Sequence, residues 1–300
     1  MNDVLISGAS GFVGQNLIRY LNEKPISHKE ISLRAGVPDS LPVETSVVVH
    51  LAGLAHDVKN VNKEADYFRV NTELTGQLFQ AFLRSKANTF IFISSVKAVA
   101  DAPGKELLLE STIPSPVTVY GKSKLEAEKT ILSHKVAGKR VLVLRPCMIH
   151  GPGNKGNLNL LYRWVKSGLP YPLGDFNNER SYLSVDHLCY VIAELIRDQT
   201  IPQGIYQVAD THYVSTIELI KLISEELGKT VRIWKIPAVL IRRLAKIGDW
   251  FHLPLNSERL NKLTADYKVS NEKLRSVLVN PPTFEASEGL RKTIRTFVHG

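Results

Sequence analysis

The chain has 300 residues, 44% of them hydrophobic, which is enough to bury a sizeable core as one large or two modest domains. Its formal charge of +9 suits nucleic acid, an anionic membrane surface or phosphorylated small molecules, but the Lys and Arg are mostly scattered beside Glu with no nucleic-acid motif, which argues against a nucleic-acid binder and favours phosphorylated small molecules. No stretch reaches ~18 apolar residues and no basic leader precedes Val4-Leu5-Ile6, so a cytoplasmic protein without stable membrane insertion is expected.

In chain order, the first element is a strand, Val4-Leu5-Ile6-Ser7, running through Gly8-Ala9-Ser10-Gly11-Phe12-Val13-Gly14 into a helix. Gly8, Gly11 and Gly14 allow a tight turn, close approach of a ligand and packing of the helix on the strand, and the helix N-terminus, with Phe12 and Val13 in its first turn, offers amide donors to a pyrophosphate. This predicts a dinucleotide site. A second strand is expected at Glu30–Arg34, ending where such sites usually carry an Asp or Glu on the ribose, about twenty residues past the glycines. Arg34 stands there instead. A guanidinium suits a 2′-phosphate, which favours NADP(H), with NAD(H) as the alternative.

The next strand, Ser46 to His50, runs into Leu51-Ala52-Gly53, small enough at Ala52 and Gly53 for a cofactor to lie across the strand end. The gap from Arg34 to Ser46 is too short for a full helix-and-strand crossover, so one sheet element should be abbreviated. A helix over Tyr67–Ser85 follows, with Asn71 near its start expected to be structural. The strand Phe90–Ile93 delivers Ser94 and Ser95 to the carboxyl edge of the sheet, with Lys97 and His56 placed to reach the same crevice.

Val119-Tyr120-Gly121-Lys122-Ser123-Lys124 opens an amphipathic helix. Tyr120 and Lys124, four apart, share a face, giving a phenol proton donor with an ammonium beside it that should lower the phenol pKa. The strand Arg140–Pro146 leads to His150-Gly151-Pro152-Gly153, and a loop-rich stretch, 154–180, begins a ligand-covering lobe. Cys147 and Cys189 lack metal or redox spacing and are expected to be buried thiols, with no metal site in the chain. The strand Gly204–Ala209 precedes a helix capped at Ser215 or Thr216. Within 233–251, Arg242, Arg243 and Lys246 interleave with Leu240, Ile241, Leu244, Ile247 and Trp250, a basic amphipathic helix for which packing on its own domain is expected, with contact to a membrane face as the alternative.

Together the glycine loop, His50-Leu51-Ala52-Gly53, Ser94-Ser95, Tyr120-Gly121-Lys122-Ser123-Lys124, Leu144-Arg145-Pro146 with Gly151-Pro152-Gly153, Arg180-Ser181-Tyr182-Leu183-Ser184-Val185-Asp186-His187-Leu188 and Glu288-Gly289-Leu290-Arg291 resemble the extended short-chain dehydrogenases/reductases, in the nucleotide-sugar NAD-dependent epimerase/dehydratase branch. The resemblance implies an α/β fold, a Rossmann doubly wound parallel sheet with a smaller, mostly helical C-terminal lobe. Residues 1–150 and 181–213 would form the dinucleotide part, and 151–180 with 214–300 the nucleotide-sugar lobe. It further implies Tyr120 as acid/base, Lys124 as ribose anchor, Ser95 as substrate-aligning hydroxyl with Ser94 as its neighbour in register, Arg180 on the pyrophosphate, Asn157 near the nucleotide, and a homodimer through the helices of Tyr67–Ser85 and Ser123–Ser133.

Within the branch, Ser95-Val96-Lys97 and Lys155-Gly156-Asn157 look most like UDP-glucose 4-epimerase-like bacterial proteins, some of which are ketoreductases of UDP-N-acetylquinovosamine type serving surface polysaccharide. The expected reaction is NADPH-dependent reduction of the C4 ketone of a UDP-4-keto-6-deoxy-N-acetylhexosamine. The alternative is a 4-epimerase of a UDP-hexose or UDP-N-acetylhexosamine with tightly bound NAD. A catalytically silent, dinucleotide-sensing scaffold is the reading from outside enzymology, and the intact Ser95, Tyr120 and Lys124 argue against it.

Overall fold

The computed structural model describes residues 3–55, 63–134, 137–153, 158–251 and 256–298. Its strands are β1 Asp3–Ser7, β2 His28–Ile31, β3 Thr45–His50, β4 Thr89–Ile93, β5 Leu107–Leu108, β6 Arg140–Pro146, β7 Met148–His150, β8 Tyr182–Ser184, β9 Gly204–Val208 and β10 Lys268–Val269. Its helices are α1 Phe12–Asn22, α2 Glu64–Phe68, α3 Leu74–Arg84, α4 Val119–Leu132, α5 Leu158–Lys166, α6 Val185–Arg197, α7 Thr216–Glu226, α8 Ala238–Phe251, α9 Ser257–Thr264, α10 Glu272–Val277 and α11 Ala286–Val298.

Six parallel strands form the main sheet in the order β2-β1-β3-β4-β6-β9. Strand alternation explains its two buried faces. Val4, Ile6, Val47, Val49, Ile91, Ile93, Leu142 and Leu144 face one side, under α1 and α6, while Leu5, Val48, Phe90, Phe92, Val141 and Val143 face the other, under α3 and α4. The chain order reverses around β1, whose neighbours are β2 and β3, and the crevice beyond their carboxyl ends is where open α/β sheets bind ligands.

The strand expected at Glu30–Arg34 forms earlier, at His28–Ile31. Its register runs from Val4 opposite His28 to Ser7 opposite Ile31, and pairing stops there because β1 itself ends where Gly8 turns away with φ of 78°. Residues 32–44 hold neither helix nor strand and cross directly to β3, burying Leu33 and Leu41, so the abbreviated element is the missing one here.

The helix expected over Tyr67–Ser85 runs as α2 and α3 joined by a π-helical turn, Arg69–Glu73. That extra residue per turn puts Asn71 inward, where its amide accepts from Leu54 N at 2.8 Å and donates to Leu54 O at 3.0 Å and Ser123 Oγ at 2.9 Å. The residue therefore ties the β3 exit to α4, the structural role expected of it.

A separate core is built from Leu158, Tyr162, Tyr171, Leu173, Tyr182, Val214, Leu219, Ile223, Ile241, Leu260 and Leu290. Val269, Leu274 and Leu278, late in the chain, join the core beside the main sheet instead. The buried residues of α8 are Ile241, Ala245 and Gly248, with Ala238 partly buried against the same core. The expected burial of this helix on its own domain is thus limited to one seam, and Val239, Leu240, Leu244, Ile247, Trp250 and Phe251 remain exposed. Among the described residues no helix is long and apolar enough to cross a membrane. Cys147 and Cys189 are both buried free thiols, and burial pushes the Cys189 thiol up to about 12.

Candidate active site

The glycine loop sits on the crevice. A methyl group on Gly8 would come within 2.5 Å of Ala52 N, so the exits of β1 and β3 touch, and one on Gly14 would lie 2.3 Å from Gly8 O. Gly11 is exposed and begins α1 as an N-cap without a side-chain hydrogen bond, leaving the first-turn amides of Phe12 and Val13 without a side-chain cap. Leu51, Ala52 and Gly53 follow β3 along the same edge, with Leu51 N bonded to Ser7 O at 3.0 Å. An uncapped helix end beside a backbone cradle fits a dinucleotide pyrophosphate.

Ser95 ends the segment after β4 and caps a short 3₁₀ turn, Val96–Ala98, by accepting from Lys97 N at 3.2 Å. Its side chain lies close enough to Tyr120, in the first turn of α4, to act on the phenol pKa. That helix starts at Val119 because Thr118 caps it, accepting from Gly121 N at 3.1 Å, while Asp101 accepts from the amides of Val117 at 2.7 Å and Thr118 at 2.9 Å. Tyr67 stands edge-on to Tyr120, with ring centroids 6.5 Å apart.

Lys124 is buried one turn further on. Its ammonium donates to Ile93 O at 2.9 Å, lies 4.8 Å from the Phe92 ring centroid and borders the gap left by Gly53, where a methyl group would come within 3.0 Å of Nζ. Beneath it, His50 bridges Ser7 Oγ at 2.6 Å and Thr75 Oγ1 at 2.8 Å; burial and the Lys124 charge hold its pKa down to about 3, so it is neutral.

The electrostatics differ from the expectation that Lys124 would draw the Tyr120 pKa down. Burial wins: it pushes the phenol up to about 12, against the lowering by Ser95, so at neutral pH Tyr120 is a protonated donor. Burial likewise brings Lys124 down to about 8, opposed by Glu128. Because the folded pKa of Lys124 lies below its ordinary 10.5, the unfolded chain binds more protons between about 8 and 10.5, and stability rises with pH across that window. Without cofactor, thermal unfolding of the wild type should therefore gain on Lys124→Met as pH rises from 7 to beyond about 8; a constant difference would show that Lys124 is not charged and buried together.

Glu128 was not singled out by the sequence. It is buried on the same α4 face, eight residues after Tyr120, receives Ser94 Oγ at 2.5 Å and holds Arg145 through Nε at 3.0 Å and Nη2 at 2.6 Å. Ser94 is thereby committed to this network, and Ser95 alone of the two serines meets Tyr120. The signal available was the spacing Lys124 to Glu128, one more turn on one face.

Other expected site residues lie at different distances from this centre. Lys97 is half-buried on the turn beside Ser95. Arg34 is exposed just past β2. Arg180 pairs with Val214 and Tyr267 and donates from Nε to Ala265 O at 2.9 Å; Tyr267 in turn donates to Ala100 O, close after Ser95. Asn157 and His56 fall outside the described residues.

A Rossmann sheet with an uncapped glycine-loop helix beside a Ser, Tyr, Lys cluster defines a dinucleotide-dependent oxidoreductase. The match of residues 4–209 to the NAD dependent epimerase/dehydratase family places the chain in that family, and it is an NAD(P)-dependent enzyme of the nucleotide-sugar epimerase and reductase type. It is 31% identical to a UDP-glucose 4-epimerase of Vibrio cholerae, over 98% of this chain and 95% of that protein. It is also 29% identical to a GDP-6-deoxy-D-mannose reductase of Pseudomonas aeruginosa, over 80% of this chain and 84% of that one. The structure of RMD from Pseudomonas aeruginosa complexed with NADPH superimposes with a TM-score of 0.74 at 22% identity, covering 99% of both chains.

Proposed function

We propose that this protein reduces the C4 ketone of a UDP-4-keto-6-deoxy-N-acetylhexosamine with NADPH, in the cytoplasm, for a surface-polysaccharide precursor. The observation that carries the choice of reductase is the carboxyl end of β2: Ser32 and Arg34 stand there and no carboxylate occurs between Ile31 and Pro38. A free ribose diol prefers a carboxylate acceptor, whereas a guanidinium with a nearby hydroxyl suits a 2′-phosphate.

Bound NADPH supplies the hydride. Gly8, Gly11, Phe12, Val13 and Gly14 hold its pyrophosphate, Leu51, Ala52 and Gly53 leave it room, and Lys124 anchors its ribose. Tyr120, a neutral phenol, gives its proton to the carbonyl oxygen, Ser95 aligns that oxygen, and Lys97 and Arg180 contact the substrate, Arg180 at the diphosphate. The separate core around Leu158, Leu173, Leu219, Ile241 and Leu290 belongs to the sugar-nucleotide lobe. Arg34→Asp should cut the NADPH over NADH preference in kcat/KM by about 10- to 100-fold, the worth of a charge-assisted contact; an unchanged ratio would remove Arg34 from the cofactor site.

A second reading, 4-epimerisation, is favoured by the Vibrio cholerae relative, which matches 98% of this chain. It predicts C4 inversion with no net consumption of dinucleotide. A homodimer through α3 and α4 belongs to the same proposal: light scattering should give twice the chain mass, and a fully active monomer would contradict it.

A further inference from the structure

We propose that α8 is a docking surface for an anionic lipid bilayer, which holds the protein at a membrane face without insertion. The helix has 14 residues, and its buried residues are Ile241, Ala245 and Gly248, one narrow seam. Opposite that seam stand Val239, Ile247 and Trp250, which are 64%, 51% and 87% exposed. Leu240, Leu244 and Phe251 flank them, also exposed, and Trp234 precedes the helix at 53% exposure.

Scattered exposed apolar residues need no explanation, but six large ones on a single helix face do. Interleaved with them are Arg242, Arg243 and Lys246, all exposed. Asp249, the acidic residue of the helix, accepts from Ser257 N at 2.8 Å. A face with Trp, Phe and Leu among long basic side chains is the composition of an interfacial helix: the rings reach the acyl boundary while the cations meet headgroup phosphates.

Charge decides between the occupants. In a two-fold contact between copies the same face meets itself, bringing Arg243 and Lys246 against their own copies. The core of a protein interface is also depleted of Lys, and Lys246 lies beside Val239 and Trp250 around the helix. An anionic headgroup layer complements the whole face. Contacts with the preceding loop fix the start of the helix, so that the face is presented in one orientation. Ala238 N donates to Asp175 Oδ2 at 2.9 Å, and Arg242 lies 5.5 Å from the Phe176 ring centroid.

The proposal is tested by flotation of the purified full chain with vesicles of phosphatidylcholine alone and of phosphatidylcholine mixed with phosphatidylglycerol. The protein should float with the mixed vesicles only and be released by high salt. Each basic residue near such a surface contributes about fivefold, so Arg243→Gln with Lys246→Gln should weaken binding about 30-fold. Ile247→Ser with Trp250→Ser should abolish it, with thermal unfolding unchanged in both variants. Failure of the wild type to float, or binding that survives the Ser pair, would overturn the proposal. So would loss of a dimer in the Ser pair without any vesicle binding by the wild type, since that makes the face a contact between copies.

Discussion

Tyr120→Phe should lower kcat for the ketone substrate by about 10²- to 10⁴-fold, the usual contribution of a positioned general acid, while leaving dinucleotide binding in place. The phenol is protonated at neutral pH because burial pushes it up to about 12, so it is poised to donate. The Phe ring keeps the edge-on contact with Tyr67 and removes only the hydroxyl that Ser95 acts on. Lys124 cannot substitute, since its ammonium points at Ile93 O and the Gly53 gap. Steady-state kinetics with a parallel dinucleotide titration separates the two effects. A variant with near-wild-type kcat would move the proton donor elsewhere.

Glu128→Gln should destabilise the protein by about 3–5 kcal/mol in urea unfolding. Arg145 and Glu128 are both buried, and the pair is two-pronged, so neutralising the acid strands a guanidinium inside the protein. Arg145 already has Nη1 without a hydrogen-bond partner, so the pair with Glu128 supplies the side-chain acceptors its guanidinium has. Replacing both, as Glu128→Leu with Arg145→Met, should recover much of the loss, because the dominant cost is the unpaired charge rather than the missing attraction. A single substitution costing under ~1 kcal/mol would mean that water reaches the pair.

Much of this architecture was legible in the sequence because it rests on short-range constraints. Buried parallel strands read as apolar runs, and the glycine loop between β1 and α1 reads as a close backbone approach, borne out by the Gly8 contact with Ala52. What the sequence hid depends on neighbours distant in the chain. The end of β2 is set by where β1 stops pairing, so an apolar pattern alone placed it too late. A π-helical turn at Arg69–Glu73 changes the face Asn71 presents without altering composition. The start of α4 is fixed by Thr118 with Asp101 behind it, a partner far back in the chain.

The same holds for the site. Spacing alone brings Tyr120 and Lys124 to one face, and the fold adds Ser95 from the segment after β4 and separates it from Ser94 by giving the latter to Glu128. The direction of the Tyr120 shift was not legible, because charge proximity can be read from spacing whereas desolvation cannot; here desolvation is the larger effect. Likewise a basic amphipathic pattern cannot say which stripe of α8 is covered, and only packing shows that the covered seam is the narrow one.

The measurement that bears most directly on the proposed chemistry is incubation of the purified protein with a UDP-4-keto-6-deoxy-N-acetylhexosamine, following NADPH and NADH oxidation separately and the product at C4. One NADPH should be consumed per C4 alcohol formed, faster than with NADH. Inversion of a UDP-N-acetylhexosamine at C4 with no NADPH consumed, and NAD released on denaturation, would contradict this chemistry and make the protein an epimerase.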